Sequence, residues 1–160
     1  MLRGISDIEI IVSDGGSIDR TCRVAGKYTD KVIRGNRGRG VQLNTGAALA
    51  TGDILWFLHA DSIPPDNFRY HIFNTLEKPG VAGGVFTLEI DSNLSSLKFI
   101  SKVVALRSKI SRIPYGDQGL FVKREVFEKV NGYKNIHLME DIDFGMRLRK
   151  KAGLKFYPRG

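Results

Sequence analysis

Residues 54–58, Ile-Leu-Trp-Phe-Leu, are an unbroken apolar run with Gly52-Asp53 before it and Ser62 to Pro65 after it. A run this short, rich in branched and aromatic side chains and bounded by turn formers, reads as a strand buried on both faces. That places it at the centre of a parallel or mixed sheet. It leaves the sheet through the polar step His59-Ala60-Asp61. Open α/β sheets bind ligands at the carboxyl ends of their strands. A carboxylate held there can orient a divalent cation, and that cation can hold a diphosphate. Asp61 can equally cap the turn before Pro64-Pro65.

The same arrangement occurs earlier. Ile8 to Ser13 reads as a strand, followed by Asp14-Gly15-Gly16-Ser17, with Ser17 a candidate N-cap for a helix to about Lys27. Lys31 to Arg34 is a short strand, Gly35 to Gly40 a glycine-rich basic loop, and Gln42 to Ala50 a helix closed by Thr51-Gly52. Asn67 to Glu77 is a helix. Val81 to Ile90 is a strand in which Gly83-Gly84 marks a bulge or a close approach. An amphipathic helix over Ser95 to Ser108 precedes a loop, Ile113 to Gln118, and the strand Gly119 to Val122. Glu125 to Val130 is a short helix, Met139 to Lys151 the last long one, and Leu154 to Tyr157 a final strand. Strands alternating with helices at these intervals predict an α/β class, and no repeat or linker divides residues 1–160, so a single domain is expected.

With 160 residues and 42% apolar side chains the chain can bury a real core. No apolar run approaches the roughly 20 residues that span a bilayer. Cys22 is the single cysteine, which excludes an internal disulfide and a cysteine-rich zinc site and favours a cytoplasmic setting. The net charge of +8 suits an anionic partner. Basic residues concentrate in Arg34 to Gly40, where glycines let the backbone approach phosphate, and in Arg147 to Lys151, read as one solvated helix face. Aromatic residues are not interleaved with these patches as a nucleic-acid platform requires, so no nucleic-acid partner is expected.

Three segments combine into a specific pattern: Glu9 to Thr21 (EIIVSDGGSIDRT), Gly38 to Ser62 (GRGVQLNTGAALATGDILWFLHADS) and Gly116 to Lys150 (GDQGLFVKREVFEKVNGYKNIHLMEDIDFGMRLRK). The chain resembles a family 2 glycosyltransferase of the GT-A fold, and in particular a bacterial subgroup associated with radical-SAM genes. The resemblance implies a Rossmann-like mixed sheet flanked by helices and a nucleotide-sugar donor, UDP- or GDP-linked, with Mn2+ or Mg2+. It also implies transfer with inversion to an acceptor hydroxyl on an unknown sugar, lipid or small molecule. Homo-oligomers and a peripheral contact with the inner membrane face are compatible with it. Asp14 matches the acid that contacts the nucleotide base, with Gly15, Ser17 and Asp19 completing its motif. Arg39 and Gln42 stand near the nucleotide, and Asn44 and Gly46 lie in an LNxG segment that shapes its pocket. Asp61 matches the metal-binding acid of a DxD motif. His59 replaces the motif's first acid, with Ala60 between, and reads as a hydrogen-bonded strand-end histidine in preference to a ligand. Asp141 matches the catalytic base and Glu140 its partner. Asp117 and Gln118 fall where the family approaches the donor sugar or acceptor.

Each of these acids also has a local reading: Asp14 as a turn acid, Glu140 and Asp141 as partners of a helix dipole. Family domains begin with a strand and helix ahead of the Asp14 strand and continue beyond the last strand here. The expectation is therefore a domain incomplete at both ends, with Ile10 and Val12 short of neighbours. A degenerate, non-catalytic nucleotide- or protein-binding domain of the same fold is the alternative.

Overall fold

The computed structural model describes residues 7–86, 119–152 and 158–159. In chain order the elements are β1 (Val12–Asp14), α1 (Thr21–Ala25), β2 (Val32–Arg34), α2 (Arg39–Leu49), β3 (Ile54–Phe57), α3 (Phe68–Leu76), β4 (Gly83–Phe86), β5 (Leu120–Lys123), α4 (Arg124–Lys129), α5 (Glu140–Ala152) and β6 (Pro158–Arg159). The helix expected over 95–108, the end of the strand expected to 90, the loop 113–118 and the strand expected over 154–157 lie outside the described residues.

Two sheets form. β1 and β2 pair in parallel, with Val12 opposite Val32 and Asp14 opposite Arg34. The larger sheet has the order β3-β5-β4-β6. In it β5 runs antiparallel to β3 and β4, and β6 runs parallel to β4. The mixed α/β architecture agrees with the sequence, but the position of β3 does not. Among the described residues it pairs with β5 alone and is an edge strand, and only Leu55 in it is buried. Its apolar run answers to helices and loops instead of flanking strands. Trp56 stacks on Phe68 with centroids 4.8 Å apart, and Phe57 meets Tyr133 edge-on at 5.3 Å.

The central strand is β5. Leu120, Phe121 and Val122 are all buried, and β4 beside it is buried throughout. Gly83 and Gly84 make that pairing possible. A Cβ on Gly83 would stand 2.7 Å from the Phe121 carbonyl oxygen, and one on Gly84 2.5 Å from its ring. The expected close approach is therefore the reading that holds. Helix α5 places Phe144 and Leu148, one turn apart and both at 0% exposure, against this core. Each is worth roughly 2–3 kcal/mol of burial.

Local chemistry explains where helix ends differ from expectation. α1 begins at Thr21, not after Ser17, because Ser17 gives both its backbone N–H and its hydroxyl to Asp14. The Asp19 carboxylate accepts the Thr21 N–H instead. α2 starts earlier than expected, at Arg39, and ends at Ala50 in extended conformation, without a left-handed glycine. In the basic stretch 147–151, Arg149, Lys150 and Lys151 are exposed, but Arg147 is not part of a solvated face. Its Nη1 donates to the Val130 carbonyl at 2.6 Å and its Nε to Asp143 at 2.6 Å. Ile10 and Val12 are half-buried, and β1 finds a strand partner on one side only among the described residues.

Candidate active site

The first turn of α2 is the joint neighbour of three acidic segments. On its β1 side, Gln42 Nε2 donates to the Ser13 carbonyl at 3.1 Å, and a Cβ on Gly15 would stand 2.9 Å from the Gln42 amide. On its β3 side, Arg39 Nη2 lies 2.7 Å from His59 Nε2. On its α5 side, Arg39 Nη1 lies 3.1 Å from Glu140 Oε1. Arg39 and Gln42 are three residues apart on one helix face, so a single turn of backbone relates all three contacts.

Asp14 is 5% exposed at the end of β1. Its Oδ1 accepts the Ser17 hydroxyl, and its Oδ2 accepts the backbone N–H groups of Gly16 and Ser17. These bonds, the Ser17 hydroxyl first, favour the charged form and hold the carboxyl down at about 2. Asp14 thus organises its own turn, with Arg34 Nε 3.9 Å away. Arg34 also donates to Cys22 Sγ at 3.3 Å.

At the end of β3, Asp61 is 90% exposed, with Oδ1 3.9 Å from His59 Nδ1; Ala60 between them is exposed. At the start of α5, Glu140 is 4% exposed and Asp141 is half-buried, its Oδ1 accepting the Ile142 N–H at 2.8 Å. Met139, just before them, has φ of 63°, a left-handed conformation that costs a side-chain-bearing residue about 1 kcal/mol or more. Asp143, one position further on from Ile142, is claimed by Lys134 and Arg147. Burial pushes its carboxyl up, but those two cations outweigh it and the net shift is downward.

Tyr133 lies beneath this junction. Its phenol feels the charges of Arg39, Asp141, Glu140 and Arg147, and burial pushes it well above the usual tyrosine range. Its ring stacks on Phe144 at 4.3 Å, so Tyr133 packs into the core. Asn44 is spent on the same residue. Its Nδ2 donates to the Tyr133 carbonyl and its Oδ1 accepts the Tyr133 N–H, each at 2.8 Å. Gly132, with φ of 55°, permits this contact, since a Cβ there would stand 2.5 Å from Asn44 Oδ1. The amide expected to shape a nucleotide pocket therefore clamps a backbone turn onto α2. Gly46 packs near Ile11 and Ser13 of the first strand region.

The sequence named Arg39, His59 and Glu140 separately; that one guanidinium joins them was not legible. Arg147 was missed as a half-buried fastening. Asp117 and Gln118 lie outside the described residues.

Among the described residues no three of His, Cys, Asp and Glu converge as a cage for a metal. A hard divalent cation does not require one. Mg2+ and similar ions are commonly held by one or two carboxylates with phosphate oxygens and water completing the shell. The exposed Asp61 carboxylate fits that mode of binding. Among the described residues no helix is long and apolar enough to cross a membrane.

Comparison with known proteins agrees with this architecture. An uncharacterised glycosyltransferase of Nostoc sp. (strain PCC 7120) is 28% identical over 144 residues, covering 78% of this chain and 44% of its own length. The structure of the mannosyltransferase PcManGT from Pyrobaculum calidifontis, solved with GDP-Man and Mn2+, superposes with a TM-score of 0.72 at 19% identity, over 94% of this chain and 45% of that one. The chain thus spans less than half the length of either relative and has the GT-A fold. The model of the glycosyl transferase family 2 domain matches residues 2–134, and the chain belongs to that family.

Proposed function

We propose that the chain is the donor-binding and catalytic core of a metal-dependent glycosyltransferase. It would move a sugar from a UDP- or GDP-linked donor to an acceptor hydroxyl with inversion. The single observation that carries the reading is the junction at α2, where one helical turn touches the segments bearing Asp14, Asp61 and Asp141.

Each residue has a role suited to its surroundings. The turn held by Asp14, with Gly15 and Ser17, walls the nucleotide base. Asp61 would hold a Mn2+ or Mg2+ ion, which would supply positive charge to offset that of the leaving diphosphate. Asp141 takes the proton from the acceptor hydroxyl as that oxygen attacks the anomeric carbon. Its place in the first turn of α5 puts its negative charge at the positive end of the helix dipole. Glu140 fixes the start of α5 through Arg39. The PcManGT complex with GDP-Man and Mn2+ supports the choice of donor and cation used to test this.

The test is calorimetric titration of GDP and UDP with and without Mn2+, followed by assay of GDP-mannose hydrolysis. Asp61→Ala should abolish metal-dependent binding. Asp141→Asn should bind as the native chain does and lose turnover. Absence of metal-dependent binding by either nucleotide would refute the reading. The rival is a non-catalytic nucleotide-binding domain of the same fold. Binding without any donor hydrolysis would select it.

A further inference from the structure

Arg39 contacts two partners, His59 Nε2 at 2.7 Å and Glu140 Oε1 at 3.1 Å. A guanidinium donates through fixed N–H groups and accepts nothing. His59 Nε2 must therefore be the acceptor, and the single proton of the neutral ring sits on Nδ1. That nitrogen is the one on the side of Asp61, 3.9 Å from its Oδ1. We propose that Arg39 is a positioning residue that locks His59 as the Nδ1–H tautomer. It thereby presents a hydrogen-bond donor, and not a metal ligand, beside Asp61.

The chemistry of imidazole makes the two roles exclusive. If Nδ1 ligated a metal it would give up its proton, and the ring's remaining N–H would lie on Nε2. Nε2–H would then face an Arg39 N–H, donor against donor. Arg39 in turn is held by Glu140. A carboxylate that is 4% exposed requires a cation close by, and the guanidinium is 3.1 Å away. The residue that fixes the His59 tautomer is thus anchored to the start of α5, the helix that carries Asp141. His59 stands where the family pattern has an acid, and the lock converts that position from acceptor to donor. The use of that donor, toward a diphosphate beside Asp61, rests on the proposed function; the tautomer does not.

The experiment is a long-range 1H–15N spectrum of the 15N-labelled chain at pH 8. There are three histidines, so a His59→Gln sample identifies the His59 ring signals. The expected pattern is an unprotonated Nε2 and a protonated Nδ1. Arg39→Met, and the double variant Arg39→Met/Glu140→Gln, which leaves no buried carboxylate without a cation, should both return the ring toward the Nε2–H form that free neutral imidazoles favour. An Nε2–H pattern in the native chain, or an Nδ1–H pattern that survives in the double variant, overturns the proposal. Addition of Mg2+ with GDP should leave the Nδ1–H pattern in place, and a change to Nε2–H would overturn it. Calorimetry on the same samples separates the two questions. Failure of both GDP and UDP to bind with Mg2+ or Mn2+ removes the transferase reading, while the ring spectrum alone decides the tautomer.

Discussion

Asn44→Ala removes two hydrogen bonds at once and leaves both backbone groups of Tyr133 without them. Each such bond contributes about 1 kcal/mol net, and a buried peptide group left unpaired costs about 1–3 kcal/mol. Tyr133 is 5% exposed, which argues for the full cost, but Asn44 is half-buried and water can reach one side of the gap. The loss is therefore about 2–3 kcal/mol. For a chain of 160 residues this corresponds to a fall in Tm of roughly 5–10 °C. Urea unfolding followed by Trp56 fluorescence measures it, with an unchanged slope showing that the unfolded state is unaffected. Asn44→Asp is the control. It keeps the acceptor for the Tyr133 N–H but sets an oxygen against the Tyr133 carbonyl, so it should be nearly as damaging as alanine. A midpoint for Asn44→Ala within about 0.5 kcal/mol of the native value would refute the clamp, since changes at surface sites without such contacts cost that little.

Acid stability should depend on Asp14. Its folded pKa of about 2 lies below its ordinary value of 3.8, so the unfolded chain binds the proton first. Its contribution is complete above the ordinary value and is lost as pH falls from about 4 through 2. Ser17→Ala should move the acid unfolding midpoint upward, read by circular dichroism across that range, and an unmoved midpoint would count against the Ser17 bond. Gly40→Ala should destabilise by about 1–3 kcal/mol, because the new Cβ would stand 2.6 Å from the Lys134 carbonyl oxygen. Thermal unfolding of the alanine variant at or above the native Tm would contradict that contact. Arg147→Met should cost at least about 2 kcal/mol by chemical denaturation, because it frees the Val130 carbonyl and takes one of two cations from Asp143.

Much of the fold was legible because strand ends carry their own punctuation. Gly52-Asp53 and Pro64-Pro65 frame β3, and Asp14-Gly15-Gly16 ends β1 within a residue or two of its reading. What could not be read is partnership. An apolar run states that a strand is covered, not by what, so β3 passed for a central strand while Phe68, Phe127 and Tyr133 supply its cover. Asn44 and Tyr133 are 89 residues apart, beyond any local pattern. Ser17 followed a competition that local preference does not decide. As an N-cap it would have satisfied one helix amide, but beside Asp14 it satisfies a buried carboxylate. The acids of the candidate site were visible as types at positions. The guanidinium that joins two of their segments was visible as a basic residue near the nucleotide, and not as the link between those segments.

The split sheet has a consequence for how the molecule loosens. Among the described residues β1 and β2 pair only with each other, and such a ribbon of three-residue strands is not stable by itself, so it persists through the packing of β1 against α2. Local unfolding should therefore begin there, with amides of Val32 and Ile33 exchanging with solvent well before those of Phe121 and Val122. The part of the molecule that bears Asp14 can fray while the acids on α5 keep their places, so the base contact and the chemistry proposed above are melted out separately.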